Sequence, residues 1–183
     1  MKTSLLSDRL WPNAGLARNA VLALFGSLLV AAAAQVNVPM LPVPMTLQTL
    51  AVLMIGAAYG SRLGAATLAL YAFEGAIGLP VFAGFKSGVM LASFGYVLGF
   101  IAAAYVVGWL AERGWDRTAP RMFAAMLIGA AVLYVPGLIW LAVWIGPEKA
   151  IQLGLLPFLV GDAVKAAIAA VGFPAAWALL GRR

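Results

Sequence analysis

The stretch from Pro157 to Leu180 carries two opposite charges, Asp162 and Lys165, and no other ionisable residue. It is long enough to cross a bilayer as a helix, which takes roughly 20 mostly apolar residues. Asp162 and Lys165 are three apart and therefore share one helical face. Placing either charge near a membrane centre costs roughly 2.5–3.5 kcal/mol on insertion scales, and such residues usually turn toward a cavity or a bundle interior. The segment thus predicts a spanning helix whose polar face looks into a protected pocket.

Composition agrees. Hydrophobic residues make up 64% of the 183 and charged residues 10%, where a soluble domain carries about 25% charged. An all-α integral membrane protein is expected, with residues 1–183 forming a single transmembrane domain and no aqueous one. The first apolar run ends in Gln35-Val-Asn-Val-Pro39, without a small-residue cleavage site, so no cleavable signal is expected. Cysteine and histidine are both absent, which leaves no thiol chemistry, disulfide or imidazole for catalysis or metal binding. A net charge of +6 reads here as basic loops on one side of a membrane and not as a nucleic-acid surface. No metal or cofactor site is expected.

Apolar runs bounded by Pro, Gly and charge predict six helices, near 16–34, 46–59, 63–77, 89–111, 122–145 and 157–180. The second and third are short for a span of about 30 Å, and Gly60-Ser61-Arg62 joins them. With both termini in the cytoplasm, Lys2, Arg9, Arg18, Arg62, Arg113, Arg117, Arg121, Arg182 and Arg183 fall inside. Only Lys86 and Lys149 fall outside, while Lys165 lies within the membrane. This is a positive-inside asymmetry. Trp109, Trp115 and Trp177 would sit near the inner interface, Trp140 and Trp144 near the outer one. The pocket then opens outward.

The loops at that outer end are stiff. Gln35 to Met45 contains Pro39, Pro42 and Pro44. Proline fixes its own backbone and pushes the preceding residue toward an extended shape, which suits a lid. Gly75 to Gly84 has a similar apolar character.

Chemistry-bearing motifs are few. Gly84-Phe-Lys-Ser87 lacks the second glycine of a P-loop, so the chain has no ATP site of its own. Neither a hydrolase elbow, a zinc-protease motif nor a carboxylate pair is present, and an enzyme is not expected. Glu74 is the other acidic residue inside an apolar run and reads mainly as an interface marker. Asp162 and Lys165 could form a packing salt bridge. A ligand site fits better: Lys165 can hold a carboxylate and Asp162 can accept N–H donors through charge-assisted hydrogen bonds. Ala23, Ser27 and Ala31 form a small-residue stripe on the first long helix, a pattern that admits a close neighbour, either inside the bundle or as a docking face for a partner membrane protein. Gly95 and Gly99 form a shorter stripe that reads as packing within the bundle.

Five segments occur in order: Gln35-Val-Asn-Val-Pro39, Pro42-Val-Pro-Met-Thr-Leu-Gln-Thr-Leu50, Gly78-Leu-Pro-Val-Phe82, Gly95-Tyr-Val-Leu-Gly-Phe100 and Pro157-Phe-Leu-Val-Gly-Asp-Ala-Val-Lys165. Together they closely resemble the BioY family of biotin transporters, the substrate-binding S components of energy-coupling factor (ECF) systems. The resemblance covers nearly all of the chain from Ala20 to Ala170. It implies six transmembrane helices in a bacterial inner membrane and capture of biotin at the outer face. It also implies coupling to an ECF transmembrane protein and two ATPase subunits. Carried over by position, Lys165 is assigned to the biotin carboxylate and Asp162 to the polar head region, with the two roles exchangeable. Gln48 and Tyr96 are assigned as further contacts. The family often has Gly-Pro-Thr-Gly-Gly-Tyr before its fourth helix, where this chain has Leu91-Ala-Ser-Phe-Gly-Tyr96. The alternatives are an S component for another vitamin, such as thiamine or riboflavin, and a self-sufficient proton-coupled carrier that uses Glu74 or Asp162.

Overall fold

The computed structural model describes residues 5–12 and 15–180; Lys2, Arg182 and Arg183 of the charge count lie outside them. Seven α-helices follow in order: α1 (Leu6–Leu10), α2 (Leu16–Gln35), α3 (Gln48–Ala76), α4 (Phe94–Ala111), α5 (Ala119–Ile145), α6 (Pro147–Gly154) and α7 (Phe158–Leu180). A two-stranded antiparallel hairpin joins α2 to α3, with Asn37 opposite Thr46 and Val38 opposite Met45. Five helices, α2 to α5 and α7, are long and apolar enough to cross a membrane. The expected count of six separate helices is therefore corrected. The short α1 and α6 are additional, and the second and third expected helices belong to one element.

That element, α3, is broken at Gly60, whose φ of 82° and ψ of 177° are not helical. The chain reverses there. A Cβ on Gly64 would lie 3.0 Å from the Gly56 Cα, although eight residues of continuous helix would separate the two by about 12 Å. Farther along, the Gln48 side-chain amide donates to the Tyr71 hydroxyl. The two limbs, 48–59 and 61–76, thus lie side by side. The shorter limb spans only about 18 Å at 1.5 Å per residue, which explains why its apolar run looked too short in the sequence.

The other boundaries moved for local reasons. Helix α4 begins at Phe94 and not near 89, because the backbone of the preceding segment is used elsewhere. The Gly88 N–H donates to the Gly75 carbonyl at 2.7 Å, and the Leu91 carbonyl accepts the Trp140 indole N–H at 2.9 Å. Helix α5 starts earlier than expected, after Thr118, with Pro120 in its first turn, where a missing N–H costs nothing.

Two ends of the bundle differ in character. At one end the α3 reversal meets the α4–α5 connection. A Cβ on Gly108 would lie 2.4 Å from the Gly60 carbonyl carbon. Glu112 accepts the Ser61 backbone N–H at 2.9 Å and its hydroxyl at 2.7 Å, placing a carboxylate on the first turn of the return limb, where the helix dipole favours it. At this same end Asp116 accepts the Trp177 indole N–H at 2.6 Å, and the Arg117 guanidinium stacks 3.3 Å from the Trp177 ring centroid. Trp177 is therefore buried in a latch between α7 and the α4–α5 connection. Burial pushes the Asp116 carboxyl above its usual range; the Trp177 hydrogen bond and the Arg117 charge oppose that rise.

The small-residue stripe of α2 faces inward. A Cβ on its neighbour Gly26 would lie 2.7 Å from Thr67 Cγ2, so α2 approaches the return limb of α3 closely. Ser27 is fully buried and its hydroxyl donates to Glu74, while Ala23 and Ala31 are half-buried. Of the two uses expected for Ala23, Ser27 and Ala31, packing inside the bundle is seen at Ser27. Gly95 and Gly99 do the same between α4 and α5, where Cβ atoms would lie 2.2 Å from Trp140 Cβ and 2.4 Å from the Leu133 carbonyl oxygen.

Candidate functional site

The opposite end of the bundle holds a pocket under two tied-down loops. Gln35, at the end of α2, donates through its amide to the Phe82 carbonyl at 3.1 Å. It accepts the Phe85 N–H at 3.2 Å through the same group. The Tyr71 hydroxyl, which receives the Gln48 amide, donates onward to the Val81 carbonyl at 2.9 Å. These bonds fix the 77–93 loop over the bundle, with Phe82 buried below it, edge-on to Tyr71 at 5.5 Å between centroids. The prolines of the 35–45 loop sit beside the two-residue strands, and Val43, Pro44 and Thr46 form part of the pocket wall.

The pocket is a narrow cavity of about 50 Å³ in this structure. Its wall is mostly apolar, from Val43, Phe82, Val97, Phe100, Leu133 and Phe158. Against that wall stand a few polar groups from four helices: Gln48 and Thr49 of α3, Tyr96 of α4, Tyr134 of α5 and Lys165 of α7. Apolar walls with a few converging polar groups are what orient a small ligand with a polar end.

Three of the four expected ligand residues, Lys165, Gln48 and Tyr96, line this pocket. Lys165 reaches it from the second turn of α7, donating to Thr49 Oγ1 at 2.7 Å and to Asp162 Oδ1 at 3.3 Å. Gln48 is buried, and its amide nitrogen is directed at Tyr71. The Tyr96 hydroxyl donates to the Gly154 carbonyl at 2.8 Å, so its proton serves to tie α4 to α6. Its ring, edge-to-face with Tyr134 at 6.1 Å, forms wall.

Asp162 lies behind that wall. Oδ1 receives Thr49 and Lys165, and Oδ2 receives the Tyr134 hydroxyl. Its other neighbours are the apolar residues of a shallow groove between α5 and α7. The carboxylate therefore acts first on Lys165, holding a countercharge beside a part-buried ammonium that would be costly alone.

Sequence reading passed over Thr49 and Tyr134. Both had a signal. Thr49 follows Gln48 inside the proline-rich motif, and Tyr134 is the one hydroxyl between Met122 and Ile145. Glu74, considered as a relay, accepts Ser27 on the α2 side and is not part of the pocket wall.

Residues 1–182 match the BioY family. Among curated proteins, a probable biotin transporter BioY of Pyrococcus horikoshii is 40% identical over 141 residues, covering 75% of this chain and 83% of that protein. The biotin transporter BioY of Rhizobium etli is 36% identical over 173 residues, covering 83% and 92%. That of Thermotoga maritima is 35% identical over 147 residues, covering 78% and 86%. The fold is that of a solved S-component for biotin from an ECF-type ABC transporter, with a TM-score of 0.74 over 87% of this chain and 90% of that one, at 21% identity. With the whole-chain match and these relatives in hand, the chain belongs to the BioY family.

Proposed function

We propose that the chain is a multi-pass membrane subunit that captures biotin in the loop-covered pocket and passes it across the membrane. As in its family, this is transport and not catalysis. The observation that carries the reading is Lys165. It is an ammonium on a side chain only 12% exposed, anchored by Asp162 and Thr49, at the edge of a mostly apolar pocket. Biotin offers a carboxylate and a polar ureido ring at opposite ends of an apolar body, which suits one fixed cation set in apolar walls. Gln48, Tyr96 and Tyr134 supply the remaining polar and aromatic surface.

Charge supports an orientation. Arg9, Arg62, Arg113, Arg117 and Arg121 belong to the elements at the Gly60 end, whereas Lys86 and Lys149 lie at the pocket end. By the positive-inside rule the pocket faces outward and the Gly60 end faces the cytoplasm. With the two limbs of α3 counted as separate passes, the chain crosses a bacterial inner membrane six times and keeps both termini inside. The structural neighbour is the S-component of an ECF-type ABC transporter. By that likeness the energy would come from a separate ECF module, a transmembrane coupling protein with two ATPase subunits.

Calorimetry on the purified, detergent-solubilised chain tests the substrate. One-to-one binding of biotin is expected, with no heat from thiamine or riboflavin. Binding of another vitamin in its place, or of none by a folded protein, would overturn the assignment. A second expectation separates the two charges. Asp162→Asn keeps an oxygen for Tyr134 and should weaken biotin binding less than loss of Lys165 does, with the chain still folded. Failure to fold on this change alone would make the pair a packing brace and remove it from the ligand site.

A further inference from the structure

The polar cluster at the pocket wall contains two hydroxyls, on Thr49 and Tyr134, that bond to Asp162 as well as facing the pocket. Thr49 Oγ1 lies 2.7 Å from Lys165 Nζ and 3.3 Å from Asp162 Oδ1. A hydroxyl has one proton and can accept at its lone pairs, so Thr49 accepts from the ammonium and donates to the carboxylate. The Tyr134 hydroxyl donates to the other carboxylate oxygen. Three helices thus converge on one carboxylate: α3 through Thr49, α5 through Tyr134 and α7 through Lys165. Asp162 and Lys165 are 8% and 12% exposed, which leaves little room for water to replace these bonds.

An ammonium has three N–H donors. Thr49 and Asp162 take two, and Lys165 lines the pocket. We infer that Thr49 and Tyr134 are positioning residues, which lock Asp162 and through it turn Lys165 so that one N–H is offered to a single acceptor atom of the ligand. A lysine on a flexible four-carbon stem otherwise samples many rotamers, and each must be surrendered on binding. Fixing the head in advance removes that cost. It also ties recognition to the relative placement of α3, α5 and α7, since displacing any one of them withdraws a partner from the same cluster. This inference rests on the biotin reading for its ligand but not for its geometry.

The test has two arms. In the first, biotin affinity is measured for Thr49→Val, Thr49→Ser and Tyr134→Phe, each alone and together with Lys165→Met. Thr49→Val and Tyr134→Phe are expected to weaken binding about tenfold, the size of one hydrogen bond to a charged group. Thr49→Ser should recover most of the loss. In the Lys165→Met background the same changes should cost little more, because nothing remains for them to position. Equal losses in both backgrounds would show that the hydroxyls act independently of Lys165 and would overturn the inference, as would unchanged affinity.

The second arm needs no ligand. Lysine acetylation by acetic anhydride is followed by peptide mass spectrometry, with Lys86 and Lys149 as exposed references. Labelling of Lys165 should rise severalfold in Thr49→Val and Tyr134→Phe, and an unchanged rate would overturn the inference. If the wild-type chain bound no biotin, the functional reading would fall while this arm still decided the positioning role.

Discussion

Lys165→Ala is expected to weaken biotin binding by about 2 kcal/mol or more, roughly a thirtyfold rise in Kd, while the protein stays folded in detergent. The magnitude follows from where the ammonium sits. It is only 12% exposed and stands against apolar pocket walls, so a ligand carboxylate or carbonyl that loses it finds no water to take its place. Buried acceptors left unpaired cost more than the bond was worth in water. The fold should survive because Asp162 keeps two partners after the lysine is gone, Tyr134 through one oxygen and Thr49 through the other. Calorimetry beside a thermal melt reads both quantities. An unchanged Kd would take Lys165 out of the site, and a collapsed melt would show that the pair braces α7 before it serves any ligand.

The membrane class and the spanning segments were legible because hydropathy and charge spacing are local properties of the chain. So was the polar face of α7: Asp162 and Lys165 are three apart on any helix, and a membrane makes their presence conspicuous. What the sequence could not show was which way that face splits. Lys165 lines the pocket while Asp162 points behind it, and that division depends on Tyr134 and Thr49 arriving from α5 and α3. These are contacts 28 and 113 residues distant in the chain. The Ala23, Ser27, Ala31 stripe was ambiguous for a related reason. Small residues at a spacing of four announce close approach but not the identity of the neighbour, and here it is the return limb of α3, with Glu74 receiving the Ser27 hydroxyl. The start of α4 was missed because Val89 to Ser93 is as apolar as a helix but spends a backbone carbonyl on Trp140. The departure from the family pattern at Leu91-Ala-Ser-Phe-Gly-Tyr96 falls at that point, and Ser93 lines the pocket there.

The reversal at Gly60 gives the second large effect: Gly60→Val should lower the melting temperature by several degrees or prevent folding altogether. A φ of 82° with a ψ of 177° lies in a region that essentially only glycine occupies, and forcing another residue into it costs of order 1–3 kcal/mol. Asparagine should not rescue the site, since it tolerates the left-handed helical region, where ψ is near +47°, and not this one. Space adds to the cost. A Cβ at Gly60 would stand 2.6 Å from Leu5 Cδ1 and 3.0 Å from Glu112 Oε1. Leu5 can turn away, but Glu112 is held by both donors of Ser61. Moving it uncaps the return limb. The damage should also reach the pocket, because the two limbs that meet at Gly60 carry Gln48 and Thr49 on one side and Tyr71 on the other. Any protein recovered should therefore bind biotin more weakly, although Gly60 lies at the opposite end of the bundle. Gly172→Ala is the control: it sits inside α7 with no atom near its missing Cβ, and alanine there should leave the melt unchanged or raise it slightly. If Gly60→Val melted like the wild type, the side-by-side arrangement of the α3 limbs would have to be held by their packing alone, and the turn would be its consequence.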